Sequence, residues 1–87
     1  MNNQDECNWL DAMPPAESFK LAWLACDASG VWYESENEPR MYKDTFCTKD
    51  GAILQVDPEI MPLISIDEWS LSRISIDELG KYQKANS

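Results

Sequence analysis

Glu34, Glu36 and Glu38 stand at alternate positions directly after Trp32-Tyr33, in the stretch WLACDASGVWYESENEP at residues 23–39. On an extended chain, period two puts all three carboxylates on one face, about 6.6 Å apart at ~3.3 Å per residue. That is about twice the ~3.4 Å rise per phosphate along one DNA strand, so the row can imitate part of a phosphate backbone. The same row also suits a charged edge strand or loop that keeps sheets from aggregating edge to edge. Trp32 and Tyr33 point to opposite faces of a strand, which predicts one in the core and the other in an exposed contact patch. An aromatic beside acids makes a hot spot for a basic partner. The candidate partner-binding residues are therefore Glu34, Glu36, Glu38, Trp32 and Tyr33, with Asp67 and Glu68 further along the chain. Asp67 and Glu68, like Asp77 and Glu78, also read as first-turn acids that stabilise a helix N-terminus through its dipole.

Other chemistry finds little to work with. The 87 residues include no histidine, so the commonest general base and metal ligand is missing and no Ser–His or Cys–His pair can form. Glycine occurs only at 30, 51 and 80, too sparsely for a phosphate-cradling loop. Cys7, Cys26 and Cys47 are odd in number and lack the local spacing of a thiolate metal site. Paired carboxylates could act as acid and base, but a core this small leaves little room for a pocket. The expectation is a protein that is not an enzyme and takes no metal or cofactor.

The residues around the glutamate row must be positioned by a sheet. Phe19, Leu21, Trp23 and Ala25 alternate with Lys20, Ala22, Leu24 and Cys26, the pattern of a central strand covered on both sides. Asp27-Ala28-Ser29-Gly30 supplies turn chemistry, and Val31-Trp32-Tyr33 resumes β-favouring residues, so residues 19–35 read as a hairpin. Pro39 ends pairing or marks an edge. Residues 41–47 form a third predicted strand, Lys49-Asp50-Gly51 a second tight turn, and residues 52–56 a fourth strand. ISIDE occurs at 64–68 and again at 74–78; each copy sets a Ser three residues before a Glu, the capping-box spacing. Helices over about 66–72 and 76–84 follow, with Trp69, Leu71, Ile76 and Leu79 covering the sheet. Ile74 and Leu63-Ile64 alternatively extend the sheet as strands. The fold class is α+β: a small antiparallel meander of three to four strands with one or two short C-terminal helices. Residues 1–18, interrupted by Pro14-Pro15, read as an N-terminal arm anchored by Trp9, and residues 19–87 as a single domain.

Sixteen acidic residues face seven basic ones, a formal charge of −9. Such a surface repels nucleic acid and anionic membrane and is steered towards basic partners; the same acidity also serves plain solubility. Cys26 and Cys47 read as small core residues. The odd cysteine count, the lack of a signal-peptide pattern and the lack of ~20 consecutive apolar residues predict a cytoplasmic protein.

The stretch at 23–39 and the later DEWSLS resemble a group of small phage and prophage proteins of unknown function. The matching positions are Trp23, Ala25, Asp27, Gly30, Tyr33, Glu36, Pro39, Trp69, Ser70 and Leu71, within residues 20–72. WSLS departs from the group's usual Trp-x-x-Ser-Leu spacing. The resemblance implies a phage origin and a small β-sheet fold, and it carries no catalytic residues. Small acidic phage proteins include inhibitors of host defence, among them anti-CRISPR proteins and DNA mimics, which bind a host protein and need no active site. The expected function is that of a non-catalytic accessory protein in the host cell cytoplasm. It would bind and inhibit a host protein with a basic surface, such as a nucleic-acid-binding component of an antiviral defence system, without touching nucleic acid or membrane itself. The alternatives are a structural or assembly module, including a homodimer paired through an edge strand, and a homo-oligomer sequestering a small ligand between protomers.

Overall fold

The computed structural model describes residues 8–64 and 67–86. Among the described residues, six strands, two helices and three short 3-10 turns make up the fold. Strands β1 (Trp23–Cys26), β2 (Trp32–Ser35), β5 (Ile53–Gln55) and β6 (Ile74–Ser75) form an antiparallel sheet in the order β5-β2-β1-β6. Strands β3 (Arg40–Tyr42) and β4 (Thr45–Cys47) form a separate hairpin. The short helix α1 (Asn8–Asp11) precedes the sheet, and α2 (Ile76–Ala85) ends the chain. This is the α+β class read from the sequence. The meander is interrupted, because the predicted third strand leaves the sheet as the β3–β4 hairpin and Ile74 supplies the fourth sheet strand.

Local chemistry fixes the β1–β2 hairpin. Asp27 Oδ1 accepts from the backbone N–H of Ser29 at 3.0 Å and of Val31 at 3.1 Å. Gly30 takes φ +92°, a conformation in which a Cβ would be strained. The pairing sets Leu24 opposite Glu34 and Cys26 opposite Trp32, and cross-strand partners share a face. Leu24, Cys26 and Trp32 thus look into the core with Met13, Val56, Met61 and Leu79. Ala25 and Tyr33 lie on the back.

The helix start read at Ser75 is present: its Oγ accepts from Glu78 N–H at 3.0 Å, and Leu79 from α2 is fully buried against the sheet. The earlier ISIDE copy behaves differently. Residues 65 and 66 lie outside the described residues, and only a 3-10 turn, Trp69–Leu71, forms after them. Leu71 does not cover the sheet; it is exposed.

Residues 8–18 do not project as an arm. Met13 is in the core, Trp9 sits 5.7 Å from the Trp32 ring, and Leu10, Ala16 and Phe19 pack around them. Gln83 on α2 holds this segment: its side-chain amide donates to Pro14 O at 2.8 Å and accepts from Ala16 N–H at 2.9 Å. Residues 1–7 lie outside the described residues.

The β3–β4 hairpin covers the back of β1 and is fastened at both ends. Ala28 N–H donates to Asp44 O at the tip at 2.9 Å, and Arg73 donates to Pro39 O at the base at 3.0 Å. Phe46 meets Trp69 edge to face at 5.7 Å. The cover over β1 accounts for Ala25, a back-face residue that is nevertheless buried.

Candidate functional site

The glutamates at 34, 36 and 38 do not form one row. Glu34 is buried, and its Oε1 accepts from Lys20 N–H at 2.6 Å and Leu21 N–H at 2.9 Å. These bonds bend residues 20–22, so β1 begins at Trp23 and not at Phe19 as the alternation suggests. Strand β2 ends at Ser35, whose Oγ donates to Asn37 O at 2.9 Å. The strand thus stops three residues short of Glu38, and period two does not carry past Ser35. Glu36, beyond the turn, accepts from Ala52 N–H at 3.1 Å. Glu38 faces Arg73 at 3.6 Å, both side chains well exposed, a pair that contributes little in water.

Of the two aromatics, Trp32 is the buried one. Its relative exposure is 2% and its Nε1 donates to Pro62 O at 3.1 Å, so it cannot meet a partner without unfolding. Tyr33 is half-buried on the back face. Asp67 is exposed and Glu68 half-buried in the turn before Trp69–Leu71, away from any α-helix N-terminus.

Among the cysteines, Cys26 is fully buried, and burial, with the adjacent Asp27 charge adding to it, pushes its thiol up to about 11. Cys47 is exposed, not a core residue: it ends β4 on the hairpin's open side. Cys7 lies outside the described residues. Among the described residues no group of three or more Cys, Asp or Glu is placed to hold a metal ion. No helix among them is long and apolar enough to cross a membrane.

What the fold does gather is a set of exposed charges of both signs at one end of the sheet. Glu36, Asp77 and Lys20 line a shallow groove of about 550 Å³ with Leu21, Ala22 and Trp23, and Asp77 pairs with Lys81 at 3.3 Å. Glu38 and Asp50 line a neighbouring depression of about 310 Å³ with Arg40 and Lys49. Within this depression Asn37 Nδ2 donates to Asp50 O at 3.1 Å and Asp50 Oδ1 at 2.9 Å. Gly51 makes this clasp possible, since a Cβ there would lie 2.5 Å from Asn37 Nδ2.

Strand β5 leaves this charged corner and is the outermost strand of the sheet. All three of its residues are exposed, Ile53 at 45% and Leu54 at 43%. Asp57 and Glu59, also exposed, follow its far end. The sequence shows the strand but not its position at the edge, which depends on where β3–β4 goes. Residues 50–60 carry four apolar residues of this surface and no Lys or Arg, and that is the signal that was there to be used.

No protein-family model matches the chain, nor does any curated protein or solved structure.

Proposed function

We propose that this chain is a non-catalytic, phage-encoded accessory protein that binds and inhibits a host protein with a basic surface, of the anti-defence or DNA-mimic type. The target class is a nucleic-acid-binding component of an antiviral defence system. The reading is supported by the formal charge of −9 and by Glu36, Glu38, Asp50 and Asp77, which line two depressions together with Lys20, Arg40 and Lys49 near the start of β5 with its exposed Ile53 and Leu54. Carboxylates there steer a basic partner, and the adjoining apolar residues give it surface to bury. The contact set differs from the row expected at 34, 36 and 38: Glu34 and Trp32 serve the fold, while Asp50 and Asp77 join Glu36 and Glu38.

The test is affinity capture from host lysate followed by binding kinetics with the captured protein at low and high salt. Association slows as salt rises if the acids steer it. Glu36→Gln, Glu38→Gln and Asp77→Asn together lower the association rate and flatten its salt dependence. Salt-insensitive association, unchanged in the triple variant, overturns the reading.

A further inference from the structure

The hydrogen bonds of β5 alternate in direction. Glu36 N–H donates to Ala52 O and Val56 N–H donates to Trp32 O, each at 2.9 Å, and Leu54 stands opposite Glu34. In an antiparallel ladder this register turns the N–H and C=O of residues 52, 54 and 56 towards β2. Those of Ile53 and Gln55 consequently point out from the open side of the sheet. The opposite edge is different: β6 is two residues long and runs directly into α2.

We infer that the free edge of β5 receives an extended, basic segment of the partner protein as an added strand. This rests on the reading of the chain as a binder of basic proteins. The backbone groups of Ile53 and Gln55 supply the main-chain hydrogen bonds, while Ile53 on one face and Leu54 on the other offer apolar contact to alternate side chains. Charge selects the occupant. Lys49 and Asp50 stand before the strand and Asp57 and Glu59 after it, all exposed, so a lysine or arginine flanking the added segment beside Val56 meets two carboxylates. When two copies of this chain pair in the antiparallel register centred on Leu54, Asp50 of one copy falls opposite Pro58 of the other and Lys49 opposite Glu59, and each copy carries −9. The net charge on each copy opposes self-pairing.

The probe is a synthetic peptide of alternating Lys and Val, compared with a Ser/Val peptide and with the Lys/Val peptide N-methylated at every backbone nitrogen. The Lys/Val peptide slows hydrogen exchange at the amides of Ile53 and Gln55, read by NMR of the intact protein. N-methylation keeps the charge but removes the pairing edge, and lowers affinity about tenfold or more, the equivalent of one or two lost hydrogen bonds. Ile53→Pro does the same from the protein side, because it deletes an outward N–H and leaves the β2 ladder intact. Equal binding by the N-methylated peptide, or protection elsewhere than residues 53 and 55, overturns strand addition while the acidic-binder reading stands. A Ser/Val peptide that binds as tightly as Lys/Val refutes the basic partner and leaves the added strand. Concentration-dependent self-association abolished by Ile53→Pro assigns the edge to a second copy and overturns the proposal.

Discussion

Glu34 shows how one side chain can exchange an expected role for another. It carries the charge a contact row would use, yet it lies 8% exposed and terminates two backbone N–H groups from a bend fourteen positions earlier. Removing it orphans both donors. Glu34→Ala is expected to cost about 1–3 kcal/mol and Glu34→Gln, which keeps one accepting oxygen, about 1 kcal/mol. Glu38→Gln removes only an exposed pair and should stay under about 1 kcal/mol. Urea denaturation of the three variants checks the order; equal losses would show that Glu34 is not the buried acceptor described. Cys26 is the residue whose titration bears on stability. Its thiol in the folded protein is raised above its ordinary value of 9.0 to about 11 by burial first and Asp27 second. The folded state therefore holds this proton more tightly than the unfolded chain. That contribution is complete below pH 9 and is lost as the pH rises towards about 11. Stability measured across this window falls less steeply in Cys26→Ala than in the native sequence. Parallel curves would refute the assignment.

At the scale of elements, the segment after the Trp69–Leu71 turn completes what β6 leaves unfinished. Strand β6 pairs only with Trp23 and Leu24, so the far half of β1 lacks a neighbour strand on that side. Ser72, fully buried, takes the place of one: its Oγ accepts from Cys26 N–H at 2.8 Å and lies 2.6 Å from Trp69 O, to which it can donate. Ser72→Ala leaves a buried N–H without an acceptor and should cost about 1–3 kcal/mol, a shift of some 4–8 °C in Tm per kcal/mol for a domain of this size. Amide exchange localises the effect, with Cys26 losing protection before Leu24. Uniform loss along β1 would mean that Ser72 merely fills space. The β3–β4 hairpin shows a related economy. It lies outside the sheet, yet Ala28 and Arg73 bind its two ends, and that cover over β1 leaves β5 as the open edge.

The whole molecule balances a small core against a large charge. The buried cluster, from Met13 to Leu79, draws on β1, β2, α2 and the connecting segments at 13, 56 and 61, because a chain of this length has few positions to spare for a core. Recruitment of residues 8–18 follows: Trp9 and Met13 close the open face of Trp32, which the sheet and α2 alone leave uncovered. Among the described acids, Glu34 enters that interior and the others are exposed or half-buried. The fold then brings several of them to the end of the sheet where β2 turns and β5 begins.

The features legible in the sequence are those decided within a few residues. The Asp27–Gly30 turn, the helix start at Ser75, the break at Gly51 and the strands on either side of the first turn all rest on local hydrogen bonds or local φ values, which nearby residues suffice to fix. The Trp32–Tyr33 alternation likewise showed that one of the two is inside. Which one is inside depends on Trp9 and Pro62, far along the chain in either direction. The same holds for the burial of Glu34, the exposure of Cys47, the place of Ser72 on the open side of β1 and the position of β5 at the edge. Each is a contact between segments distant in sequence, and single-strand periodicity is the same whether a strand ends up at the centre or at the rim. The two charged depressions belong to this second group: their carboxylates come from residues 36, 38, 50 and 77, and only the tertiary fold brings Glu36 into one groove with Asp77 and Glu38 into another with Asp50.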